Sequence, residues 1–216
     1  MFQSRFLDRF TRVHPVVPVA IYGPVIAVLL YYAVTRDGWW DTAGLVLVGY
    51  CVWTLFEYWL HRIVFHFEPE EGIGAKLHWM IHGVHHDHPN DPLRLVMPPA
   101  ASVPLALIFY ALFWLVLGPD RAYAFGAGFL AGYLAYDMLH FALHHRRPTS
   151  RLGRRLHELH MRHHFQDDRR GFGVSAPWWD LVFGTYARRR GQGTGETLAN
   201  PETSVSCRTR DPSTAR

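Results

Sequence analysis

Cysteine is nearly absent from this 216-residue chain: Cys51 sits in an apolar stretch and Cys207 in the tail. A thiol in an apolar run and a thiol in a polar tail make no sensible bridge, so no disulfide framework is expected, as suits a reducing compartment. Lysine is equally scarce, Lys76 standing alone among many arginines. That usage points to a GC-rich, bacterial genome and hence a plasma membrane. A secretory leader is missing too, because residues 1–15 lack its apolar core and small-residue cleavage site. Phe2, Phe6, Phe10 and Val13 instead recur at near-helical spacing between arginines, which predicts an interfacial amphipathic helix over 1–15. The net charge of +4 calls for no nucleic acid partner, since no nucleic-acid-binding motif accompanies the basic residues that flank apolar runs. Anionic lipid headgroups are the simpler counterpart. Apolar residues are almost missing from the end: 188–216 is mainly Gly, Thr, Ser and Arg and is expected to form a disordered basic tail.

Charge, by contrast, is absent where the chain is most apolar. Four runs stand out: Val16 to Val34, Thr42 to Leu60 broken by Glu57, Leu95 to Leu117 without charge, and Ala122 to Leu143 broken by Asp137. Each approaches the roughly 20 residues that a helix needs to cross a bilayer. The short connections Arg36 to Asp41 and Gly118 to Arg121 predict two helical hairpins. An all-α integral membrane fold over 16–187 follows, with everything else on one side. Arg5, Arg9, Arg12 and the Arg-rich final third assign that side to the cytoplasm by the positive-inside rule. Gly128 and Gly132 form a G-x-x-x-G that favours close packing of the fourth helix.

Histidine is the residue in excess. There are 15, and all but His14 lie between His61 and His164. Ten fall in four groups: His61 and His66; His82, His85 and His86; His140 and His144; His160, His163 and His164. Residues three and four apart share a helix face, so each triplet presents its imidazoles to one point. His61 and His66, five apart, diverge on an ideal helix, and the second run is expected to end or loosen between them. Ten imidazoles exceed the needs of one tetrahedral zinc, and no cysteine or glutamate cluster stands beside them, so two metal ions are the natural count. Imidazole suits zinc, copper, iron or nickel, and spacing does not choose among these. His78, His88, His145 and His157 remain outside the groups; His78 and His157 share faces with His82 and His160, as further ligands or as their supports.

Acids inside apolar runs are costly and usually functional. Asp137 shares a face with His140 and His144, where it can accept the ring N–H of a metal-bound histidine or pair with an arginine from another helix. Glu57, one turn before His61, invites the same reading. Tyr133 and Tyr136, one turn before Asp137 and His140, place phenols near a reaction chamber or simply pack. Asp137, Tyr136 and Tyr133 are therefore the candidate catalytic residues.

The segments FEYWLHRIVFH, HWMIHGVHHDHPNDPLRLVMPP, GYLAYDMLHFALHH and ELHMRHHFQDDRRGFGVSAPWWDLVFGT, in that order between Phe56 and Tyr186, carry a family resemblance. The chain resembles the fatty acid hydroxylase / sterol desaturase superfamily, most closely its fatty acid 2-hydroxylase branch. The resemblance implies four transmembrane helices under a cytosolic helical cap, with the ten grouped histidines as ligands of a di-iron centre. It also implies a reaction in which dioxygen supplies one oxygen atom to a lipid C–H bond beside the acyl carboxyl. Redox-inert zinc can occupy such a site in an isolated sample but cannot perform that step.

Family members often carry a fused cytochrome b5 domain, for which no room is seen before Val16. The expected electron donor is thus a separate protein of cytochrome b5 or ferredoxin type. The substrate is a membrane lipid or fatty acyl chain, and Arg94 either faces its polar end or snorkels to headgroups. The Trp178, Trp179, Asp180 and GFGVS segments look like the family's strap behind the last triplet, packing the cap with Trp at the interface. Carotenoid or sterol-like lipid hydroxylation is the alternative within the superfamily, although HGVHH followed by RLVMPP favours the acyl branch. A non-catalytic metal transporter or sensor fits worse, because its histidines belong in low-complexity loops rather than at helical intervals.

Overall fold

The structure, a computed structural model, describes residues 12–66 and 88–188. The predicted helix over 1–15 (save residues 12–15), the tail from 189 onward, and His78, His82, His85 and His86 lie outside the described residues. Among the described residues all regular structure is helical: α1 (Val16–Trp59), a π-helical turn (Leu60–Phe65), α2 (Pro99–Leu117), α3 (Pro119–His145), α4 (Arg151–Phe165) and α5 (Trp178–Val182).

The expected connection between the first two runs contracts to one residue. Helical geometry in α1 is interrupted only at Gly38, with φ 76° and ψ 175°, a conformation that glycine adopts without steric cost. Contacts with α3 show that the chain reverses there. On the first arm Tyr22 lies edge-on to Tyr133 and Tyr32 stacks on Tyr123, an antiparallel register. On the second arm Val46 abuts Gly128 and Trp53 abuts Gly132, a parallel register. A second positive-φ glycine, Gly118 at 79°, reverses the chain between α2 and α3. Phe113 then meets Phe125 at 4.7 Å and Phe109 meets Phe129 at 5.4 Å.

The reason for the small residues in α3 is its central place. A Cβ on Gly128 would overlap the Val46 carbonyl, and one on Gly132 would overlap the Trp53 side chain. The same closeness holds from the other side, where Gly49 abuts the Phe125 carbonyl. Backbones this near gain dispersion contacts that larger residues would prevent. Among the described residues, two helical stretches are long and apolar enough to cross a membrane, Val16–Phe65 and Pro99–Leu117. Helix α3, expected as a further span, is not among them, because glycines, tyrosines and Asp137 dilute its apolar residues. Its role is to be wrapped: Phe129, Leu130, Tyr133, Tyr136 and Asp137 are all buried. Val28, Leu47, Leu107, Ile108 and Leu115 on the surrounding helices are exposed and apolar.

At one end of this bundle, α4 packs by a single face. Ser150 caps it, accepting the Gly153 N–H at 3.0 Å. Leu156, Leu159, His160 and His163 point inward. The chain then returns through a strap, residues 171–187, that carries α5.

Candidate metal centre

The π-helical turn solves the spacing of His61 and His66. Its i→i+5 hydrogen bonds widen the helix, so residues five apart share a face, and the two rings lie 5.0 Å apart between centroids. The second run therefore loosens where it was expected to, and the loosening makes the pair converge. His163 of α4 completes this group, its Nε2 3.1 Å from Nε2 of His66 and its ring 4.6 Å from that of His61.

A second group draws on α3 and α4. His144 Nε2 is 2.8 Å from His160 Nε2, which is 3.1 Å from His164 Nε2. The His140 ring lies 4.7 Å from that of His160. In each group the candidate ligand atoms all lie within 4.8 Å of one another. Helix α4 serves both: His160 and His164 turn to one group and His163 to the other, with the rings of His163 and His164 5.6 Å apart. Seven of the ten predicted ligands are thus brought together, and His82, His85 and His86 lie outside the described residues.

The hydrogen bonds around the groups bear on whether cations fit. His61 Nδ1 lies 2.7 Å from the Phe172 carbonyl, and His163 Nδ1 lies 2.8 Å from the Arg170 carbonyl. A carbonyl can only accept, so both Nδ1 atoms carry hydrogen and both Nε2 atoms keep a lone pair. Those Nε2 atoms belong to the rings that converge. Burial and the surrounding imidazoles push the pKa of His160 well below its ordinary value, and burial pushes His163 down as well. Neutral imidazoles with lone pairs aimed at one another are a donor set suited to a cation, and metal binding requires that neutral form. The residues fit two metal ions.

Several expected roles are corrected. Asp137 is buried, but it accepts the Met97 N–H at 3.3 Å and the Tyr133 hydroxyl at 3.4 Å instead of a histidine N–H. It joins α3 to the segment leading into α2. Glu57 is also buried and accepts the N–H of Ser175 at 2.7 Å as well as the Ser175 hydroxyl, so it holds the strap instead of His61. Arg94 does not snorkel: it is buried and pairs with Asp91 at 3.0 Å. Tyr136 does reach a histidine, its ring stacked on that of His140 at 15° and 5.8 Å. His145 packs on Phe141, and among the described residues neither it nor His157 joins a histidine group.

Sequence reasoning missed the part played by the strap. The carbonyls of Arg170 and Phe172 orient His163 and His61, and Asp180 holds the strap itself. The Asp180 carboxylate accepts the N–H groups of Phe172 and Gly173, both at 2.9 Å, and the Thr185 hydroxyl at 2.8 Å. The signal available was an acid in the first turn of a short Trp-rich helix, the only charged residue between Gly171 and Ala187.

Residues 46–185 match the profile of the fatty acid hydroxylase family. This chain belongs to the fatty acid hydroxylase family. It is a membrane oxidoreductase that hydroxylates lipid, as the motifs implied. The chain is 39% identical over 186 residues to a dihydroceramide fatty acyl 2-hydroxylase of Arabidopsis thaliana, a match covering 85% of this chain and 78% of that one. It is 44% identical over 187 residues to a ceramide very long chain fatty acid hydroxylase of Saccharomyces cerevisiae, covering 85% of this chain and 48% of the relative. Among solved structures it resembles the hydroxylase domain visible in full-length scs7p, with a TM-score of 0.79 at 41% identity over 84% of this chain and 70% of that one. In this fatty acid hydroxylase the two histidine groups stand at the end of the bundle where α1 and α3 emerge.

Proposed function

We propose that this fatty acid hydroxylase uses dioxygen to hydroxylate carbon 2 of fatty acyl chains, with two iron ions held by His61, His66, His82, His85, His86, His140, His144, His160, His163 and His164. The observation that carries this reading is the pair of all-imidazole groups, each buried or half-buried, sharing α4. Relatives named as fatty acyl 2-hydroxylases support the position of attack, and ceramide-linked acyl chains are the substrate class that those names favour.

Iron would supply the redox chemistry that activates dioxygen, which redox-inert zinc cannot. The chain's own residues do the positioning. The carbonyls of Phe172 in the strap and of Arg170 just before it fix the tautomers of His61 and His163. Tyr136 braces His140 by stacking, while Asp137 and Tyr133 hold the Met97 segment against α3. Buried aromatic residues beneath the groups, Trp53, Phe129 and Tyr133, keep water away from one face.

The wider arrangement belongs to the same proposal. Shielded from lipid by the apolar arms of α1 and by α2, the less apolar α3 crosses with them, giving four spans in two hairpins, and α4 with the strap forms a cap on the cytoplasmic side. Electrons come from a separate donor of cytochrome b5 or ferredoxin type. The arginine-rich composition supports a bacterial plasma membrane. The test is mass spectrometry of membrane lipids from a host without endogenous 2-hydroxylase. Acyl chains with one added oxygen at carbon 2, formed only when the chain is present, are the expected outcome. Oxidised carotenoids or sterols in their place would overturn it.

A further inference from the structure

The strap descends along α1. The Phe172 carbonyl meets His61, the Ser175 N–H meets Glu57, and Trp179 Nε1 donates to the Thr54 hydroxyl at 3.1 Å. Each successive partner lies further from the histidines and deeper along the apolar arm. The segment then climbs back: Phe183 stacks on Tyr58 at 4.9 Å, the hydroxyls of Thr185 and Tyr58 meet at 2.9 Å, and the Ala187 carbonyl accepts from Arg162 on α4. Thr54 lies two helical turns before His61, about 10 Å at roughly 1.5 Å per residue. That places α5 beside apolar helix, below the level of the metal groups.

The composition of the segment suits that depth. Trp178, Leu181 and Val182, at its lowest point, are 51%, 64% and 66% exposed, and Phe183 and Trp59 extend the same apolar surface. Its one charged residue, Asp180, turns inward and is buried. Irregular backbone at membrane depth is tolerated only where its polar groups are satisfied within the protein. Asp180 does this for the N–H groups of Phe172 and Gly173. The Gly171 N–H is satisfied by the Thr185 carbonyl, and the Thr185 N–H by the Asp180 carbonyl.

We propose that residues 177–184 form a re-entrant lip whose tip, Trp178, Leu181 and Val182, is embedded in the lipid of the bilayer that the arms of α1 cross. The inference rests on the reading of those arms as membrane spans. It gives the strap two attachments, lipid at the tip and the rings of His61 and His163 at its base, so lipid packing at the lip bears on how those histidines are held.

The experiment uses the full chain, metal-loaded and reconstituted in phosphatidylcholine vesicles. An environment-sensitive fluorophore is placed by Leu181→Cys or Val182→Cys on a Cys51→Ser, Cys207→Ser background. Native Cys51, exposed on the second arm, is the span reporter in a Cys207→Ser chain. Arg155→Cys on exposed α4 is the aqueous reporter. Lip probes should be shielded from aqueous iodide and quenched by lipid nitroxides, more by one near the headgroup end of the acyl chain than by one near its terminus. Lip probes that behave like the Arg155→Cys probe, while Cys51 is quenched by lipid, would overturn the lip and leave the spans standing. A Cys51 probe that no lipid nitroxide quenches would sink the spans and the lip together. Lip probes shielded from iodide yet unquenched by lipid, with Leu181→Cys forming disulfides between copies, would overturn the lip in favour of a contact between chains.

Discussion

The Nδ1–H of His61 donates to the Phe172 carbonyl across 2.7 Å, joining the π-helical turn that follows α1 to a strap 111 residues later. His163 makes the corresponding bond to the Arg170 carbonyl. Two histidines from different helices thus take their tautomer from one short segment, and that segment is held in turn by Asp180 and Glu57. The chain of support runs from buried carboxylates, through backbone carbonyls, to the imidazoles.

Breaking the first link should therefore reach the metals. Asp180→Ala leaves two buried N–H groups without their acceptor, a loss of about 2–6 kcal/mol at roughly 1–3 kcal/mol per unsatisfied group. Thermal unfolding in detergent should show the loss, and chelator should strip metal faster than from the parent. Asp180→Asn, which keeps one acceptor oxygen, should fall between the two; an unchanged stripping rate in both variants would contradict this role.

The two histidine groups should be separable by metal content. His66→Ala removes a member of one group and His144→Ala a member of the other, so each variant should retain roughly one ion of two. The double variant should hold almost none. Elemental analysis of purified protein decides this, and full occupancy in the double variant would remove the dimetal reading.

Asp137 tests position separately from ligation. It bonds Met97 and Tyr133, not a histidine, so Asp137→Asn should leave metal content near that of the parent. Hydroxylation should fall by roughly tenfold to 100-fold, the scale expected when a small displacement misplaces substrate. Loss of metal in step with turnover would mean that the carboxylate supports the ligands after all.

Gly128 tests the packing of α3. Its Cβ position is already occupied by the Val46 backbone, so Gly128→Ala must push two helices apart, at a cost of about 1–3 kcal/mol for overpacking. Gly23, where a Cβ meets nothing within 4 Å, is the control: Gly23→Ala should unfold at or above the parent temperature.

Much of this was legible in one dimension, because helical periodicity and apolar run length are local properties. The spacing of His140 with His144 and of His160 with His164 sets a shared face before any fold exists. The motifs between Phe56 and Tyr186 carried the family, and residues 46–185 match it. What lay beyond sequence were relationships fixed by contacts between distant segments. The five-residue spacing of His61 and His66 reads as divergence until a π-helical turn widens the helix. Asp137 and Glu57 share helix faces with histidines, yet a carboxylate bonds whichever donor folding brings nearest, and those donors are Met97, Tyr133 and Ser175. The sequence by itself determined which side chains this protein can offer a metal. Only the tertiary structure decided which backbone carbonyls hold them, since a carbonyl has no letter in the sequence and acts only where the chain returns.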